Sequence, residues 1–64
     1  MISKFTSKGD GESIYIITES IVLAKEYVNA KDNTRWTYVS LVNGHAVEIM
    51  ESAKTVYDHM KKVI

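Results

Sequence analysis

The residues best suited to chemistry lie close together in Thr34 to Val42, TRWTYVSLV: Arg35, Trp36 and Tyr38. Aromatic rings on a sheet face stack on nucleic-acid bases, and nearby cations hold the phosphates. Lys54, Lys61 and Lys62, towards the C-terminus, could extend such a basic patch along a helix. These six are the candidate binding residues. Trp36 and Tyr38 also stand two apart, on one face of a strand, and a Trp in so small a protein is commonly its largest packing element. A core role for the two rings is favoured over a protein-contact surface, and a protein contact over nucleic acid.

Other reactive residue types form no recognisable site. Ser, His and Asp are present without a nucleophile-elbow motif. His45, beside a turn, reads as a solvated turn residue, and His59, next to Asp58, is expected on the polar side of a helix. Glu48 and Glu51 are three apart but straddle a strand–helix junction, whereas a carboxylate pair doing acid–base work needs a desolvated cleft to split its pKa values. The stretch KGDGES has glycines but neither the Walker spacing with its Lys-Ser/Thr ending nor the acidic ligands of an EF-hand loop, so it reads as a tight hairpin. With two His and no Cys, neither a disulfide nor a thiolate metal site is available. No enzyme activity, cofactor or metal is expected.

The bulk properties set the frame. Sixty-four residues make one domain. A chain this short hides only about 60% of the surface its unfolded form exposes, so its stability is marginal and rests on core packing or self-association. Eight basic residues balance eight acidic ones, which argues against a general positive field for gripping nucleic acid. No segment approaches the roughly 20 apolar residues that cross a bilayer. MISKFTSKGDGES turns polar at once and is no signal peptide, so a cytoplasmic location is the expectation. Lys outnumbers Arg seven to one, a bias that suits an AT-rich bacterial or phage genome.

The elements that must position the candidate residues follow from punctuation and periodicity. Pro is absent, and the three glycines mark KGDGES and an NG corner. Met1 to Ser7 alternates loosely and reads as a short first strand; Lys8 to Glu12 is a turn, and Ser13 to Thr18 is a strand rich in branched and aromatic residues. Ser20 to Ala30 fits either a helical face (Ile21, Ala24, Tyr27, Val28) or a two-faced strand; strand is favoured because a long hairpin with the next segment then forms naturally. Lys31 to Asn33 is its turn, and Thr34 to Val42 is the clearest strand. Asn43-Gly44 predicts a type I′ hairpin, with positive φ at both positions. His45 to Met50 pairs back, with Val47 and Ile49 on one face and Ala46, Glu48 and Met50 on the other. Ser52 then caps a helix whose buried face is predicted to carry Ala53, Val56, Tyr57, Met60 and Val63. The fold class is α+β: an antiparallel β-meander of four to five strands with one C-terminal helix packed on one face. A helical Ser20–Ala30 would instead give three or four strands with two helices.

Thr37 to Ile64, TYVSLVNGHAVEIMESAKTVYDHMKKVI, resembles the second half of the small flagellar FlbD-family proteins. The shared features are an alternating strand, the NG turn at Asn43-Gly44, the six residues HAVEIM, the Glu51-Ser52 pair and the amphipathic helix. In the front half, Phe5, Thr6 and the Gly9–Gly11 turn match a family first hairpin, with Ile14 to Ile21 as its second strand. The chain departs from that pattern in extra residues around Lys25 to Arg35 and in Trp36. The resemblance implies a small β-meander with one helix, and a role in motility or its regulation without established catalysis. Independently, the strands at Ile14–Ile17 and Val39–Val42 are apolar on both faces, and one helix covers only one face of a sheet. The expected function is a non-enzymatic regulatory or interaction protein of bacterial or phage type. It would bind a protein partner, or a second copy of itself as a homo-oligomer, through its sheet face or edge. The alternative is a small nucleic-acid binder using Arg35, Trp36 and the helix lysines.

Overall fold

Five runs rich in branched and aromatic residues become strands, three of them ended by a Gly-, Asp- or Asn-containing loop, and the last amphipathic segment becomes a helix. The computed structural model describes residues 1–63; Ile64, the final residue of the flagellar-like segment, lies outside the described residues. The fold is α+β, in the order β1 (Ile2–Thr6), β2 (Ser13–Ile17), a 3-10 turn (Thr18–Ser20), β3 (Ile21–Asn29), β4 (Thr34–Leu41), β5 (Ala46–Ile49) and α1 (Ala53–Lys61). Ser20 to Ala30 is thus strand over most of its length. All pairings are antiparallel. They fall into two sheets, β1–β2 and β3–β4–β5, with the 3-10 turn in the connection from β2 to β3. A bridge between Ser7 and Ile49 links them, flanked by Lys8 N–H to Glu48 O (3.0 Å) and Met50 N–H to Thr6 O (2.9 Å).

Phe5, Ile16, Ile21, Val39, Ile49 and Val56 form the buried core, with Ile14, Ala24, Leu41, Val47 and Met60 packed against it. Val47 and Ile49 turn inward and Ala46, Glu48 and Met50 outward, as the alternation predicts. In β1 the alternation carries a polar residue inward: Ser3 is as buried as Phe5, and its hydroxyl is satisfied by the hydroxyl of Thr18 and by His59 Nδ1 at 3.0 Å. Pairing makes that burial tolerable, since an unpartnered hydroxyl there would cost roughly 1–3 kcal/mol.

Ser52 caps α1, its hydroxyl accepting from Thr55 N–H at 3.2 Å. Val56 is the helix's buried residue, but the expected apolar face is corrected at one position: Tyr57 is 57% exposed and lies beneath the Lys61 ammonium, 4.8 Å from its ring centroid. Side chains advance about 100° per residue along a helix, so a face centred on Val56 leaves Tyr57 on the flank and takes in His59 instead. His59 is half-buried against Phe5, ring centroids 5.0 Å apart, and not on the polar side where its neighbour Asp58 suggested.

Two hairpin loops share one local design. Gly11 N–H bonds Ser7 O (3.1 Å), and Asn33 N–H bonds Asn29 O (2.8 Å). The donors, Gly11 (φ 71°) and Asn33 (φ 60°), are left-handed, and the Asp before each accepts the next N–H at 3.0 Å. Asp-Gly and Asp-Asn suit this geometry because Gly has no Cβ penalty and Asn tolerates the left-handed region. Thr34, through its side chain first and its backbone N–H second, holds the Asp32 carboxyl below its ordinary 3.8. A depressed carboxyl contributes stability above its unfolded pKa and loses it as pH falls through the folded value. The Thr34 amide resonance should therefore titrate with a midpoint below 3.8, and Asp32→Asn should abolish that titration. A midpoint at or above 3.8 would contradict this.

The NG corner is also corrected. Gly44 has φ 86°, but Asn43 does not enter the left-handed region. Leu41 N–H bonds His45 O at 2.8 Å and Gly44 N–H bonds Leu41 O at 3.0 Å. This is a three-residue loop closed by a left-handed Gly rather than a type I′ turn. Asn43 spends its side chain on His45 N–H, at 3.0 Å.

Candidate functional site

The register of β3 with β4 decides what surrounds Trp36. Thr37 and Val39 turn inward and are fully buried, so Trp36 and Tyr38 emerge on the sheet's other face, opposite the one α1 covers. The favoured core role for these two rings is therefore overturned: Trp36 is half-buried and Tyr38 is 36% exposed on an outer surface. Cross-strand pairing sets Tyr27 against Trp36 and Lys25 against Tyr38. Tyr27 and Trp36 lie nearly parallel, centroids 5.8 Å apart at 17°, and Tyr38 meets Tyr27 edge-on at 6.5 Å and 86°. Lys8, brought from the first loop by its backbone bond to Glu48, places Nζ 4.3 Å from the Trp36 ring centroid; Lys25 Nζ stands 5.3 Å from that of Tyr27. The indole Nε1 is buried and has no hydrogen-bond partner among the described residues, so this surface presents ring faces and not the indole N–H.

The other candidate binding residues do not join this cluster. Lys54 and Lys61 on α1 and Lys62 at its C-cap are exposed, beyond the opposite face of the sheet. Arg35 Nη1 pairs with Glu26 Oε2 at 3.3 Å, and Glu26 Oε1 accepts from Ala53 N–H at 3.1 Å. A cavity of about 300 Å³ opens there, between the start of β4 and the link from β5 to α1. Glu51, also on its wall, is turned to Thr6, whose N–H it accepts at 2.9 and 3.1 Å. Glu48 points to the outer face, so the two carboxylates share no site. Among the described residues no three His, Asp or Glu side chains gather as metal ligands, and no helix is long and apolar enough to cross a membrane.

A second surface lies where the two sheets splay apart. An apolar groove of about 480 Å³ runs between β2 and the β4–β5 corner, with Ile14, Ile16, Leu41 and Val47 on its walls and Ile17 and Val42 at its rim. The rim residues are 58% and 73% exposed. Beside it runs the edge of β2 that β1 does not cover. Bonded and non-bonded pairs alternate along an antiparallel ladder. The bonds from Ser7 N–H to Glu12 O and from Thr18 N–H to Met1 O put Ile14 and Ile16 in the bonded set, so Ser13, Tyr15 and Ile17 direct their N–H groups away from β1.

No protein-family model, curated protein or solved structure matches this chain. The class it belongs to is therefore defined by its own geometry: a small α+β protein of two linked antiparallel sheets and a C-terminal helix, with the open edge of β2 beside an apolar groove and an aromatic outer face on β3–β4.

Proposed function

We propose that this chain is a non-enzymatic interaction protein that takes an extended, apolar segment of a protein partner against the open edge of β2. The observation that carries the reading is the apolar groove, about 480 Å³, lying directly beside outward-facing backbone N–H groups. An added strand gains affinity from main-chain hydrogen bonds and specificity from pockets for alternate side chains. Ile14, Ile16, Leu41 and Val47 provide such a pocket wall, and Ile17 and Val42 a rim that loses water on binding. The resemblance of Thr37–Ile64 to a flagellar family without established catalysis supports a regulatory role of bacterial or phage type. The absence of Cys suits a reducing cytoplasm.

The test is selection from a library of displayed ten-residue peptides. The expected winners alternate apolar and polar residues and lose at least tenfold in affinity for an Ile17→Lys/Val42→Lys double variant that melts like the parent. Equal affinity for the double variant would overturn the groove as the site. A concentration-dependent dimer whose formation the same variant abolishes would replace the partner segment by a second copy.

A further inference from the structure

The outer face of β3–β4 shares no residue with the groove and carries a different chemistry. We propose that it binds single-stranded nucleic acid, stacking bases on Tyr27, Trp36 and Tyr38 while Lys8 and Lys25 hold the phosphates.

Three arguments support this occupant. The rings form one cluster: neighbouring positions on two paired strands bring the Trp36 and Tyr38 rings to 5.8 and 6.5 Å from that of Tyr27, centroid to centroid. Tyr27 and Trp36 stack on each other, tilted by 17°, so the pair has two outer faces at which a base can extend the stack. Charge is the second argument. The chain is neutral overall, yet two ammonium groups stand within 5.3 Å of these ring centroids, one of them delivered from a separate hairpin. The acid on the same face is Glu48, across from Tyr38, so the platform keeps a positive balance. The third argument is exchange. An ammonium resting on a ring gains little at an exposed site, roughly 0.5–1 kcal/mol. A base stacked on the same ring contributes about 1–3 kcal/mol, and the displaced lysine then meets a phosphate. The helix lysines and Arg35 take no part, being held on other sides of the molecule.

Trp36 is the sole tryptophan, so its fluorescence reports on this surface. Titration with oligothymidylate at low salt should quench it. Two phosphate contacts predict log K falling against log salt with a slope of about −1.4, at roughly −0.7 per contact for a single strand. Lys8→Ala/Lys25→Ala should flatten that slope towards zero. Tyr27→Ala should weaken binding at least about fivefold, the equivalent of one stacked base at the lower end of its range. Lys8 and Lys25 are exposed, so their double variant should keep the parent's melting curve, and Tyr27→Ala, which loses a cross-strand stack, is measured well below its own melting midpoint. The groove variant Ile17→Lys/Val42→Lys should bind oligothymidylate as the parent does. No quenching at low salt, or quenching indifferent to both salt and the lysine substitutions, would overturn the proposal. So would quenching produced by raising the protein concentration alone, which would assign the face to a second copy.

Discussion

Replacing Phe5 by Ala is expected to remove about 3–5 kcal/mol of stability, the usual cost of truncating a buried aromatic ring. Phe5 is 1% exposed and is the largest fully buried side chain. It reaches from β1 across the core to α1, where it meets the His59 ring. A domain of this length has roughly 3–10 kcal/mol in total, at about 0.05–0.15 kcal/mol per residue. The loss is therefore between about a third and all of what holds the fold. A urea titration followed by Trp36 fluorescence and far-ultraviolet circular dichroism should show the midpoint collapsing towards zero denaturant. Phe5→Leu, which refills most of the volume, should lose less than about 1.5 kcal/mol. A loss below 1 kcal/mol for the Ala variant would mean that β1 is not packed against the helix as described.

Glu51→Ala should be the costliest change outside the apolar core, at about 1.5–3 kcal/mol for hydrogen bonds to a charged acceptor. Glu51 sits between β5 and α1, and its carboxylate accepts the Thr6 N–H at 2.9 and 3.1 Å and the Thr6 hydroxyl at 3.1 Å. Its backbone carbonyl takes the hydroxyl of fully buried Thr37 at 2.7 Å. One residue thus ties β1 to the start of the helix and the helix to β4. Truncation leaves the Thr6 N–H without its acceptor in a half-buried place. Amide exchange at Thr6 should speed up in step with the loss of global stability, and Glu51→Gln, which retains an acceptor oxygen, should fall between parent and Ala. Unchanged exchange at Thr6 in the Ala variant would remove this tether from the account.

Local order was readable where one physical rule governs it. The Ser52 cap, the inward Val47 and Ile49, and the hairpin loop at KGDGES follow from turn chemistry and two-residue alternation, which neighbours do not alter. The readings that needed correction turned on what packs against what. Trp36 looked like core because large rings usually are, but a strand has two faces and its own pattern does not say which one a helix will cover. Nor did the pattern reveal Tyr27 as the partner of Trp36. A loop of Lys31–Asn33 alone would have set Trp36 against Val28. The extra loop residue, Ala30, shifts the register by one and brings Tyr27 opposite instead. Lys8 joins the platform from another hairpin altogether, through a backbone bond that no spacing announces.

By itself the amino-acid order determined the α+β class, the strand and helix segments and the inward Ile49 and Val56, because each depends on side-chain periodicity and turn propensity within a few residues. Tertiary structure alone decided that the strands part into two sheets bridged at Ser7 and Ile49, that Ser3 and His59 turn inward, and that lysines and rings meet on one outer face while the helix lysines lie beyond the other. The reason is physical. Register and burial are settled by contacts between segments far apart in the chain, where a one-residue shift exchanges one face for the other.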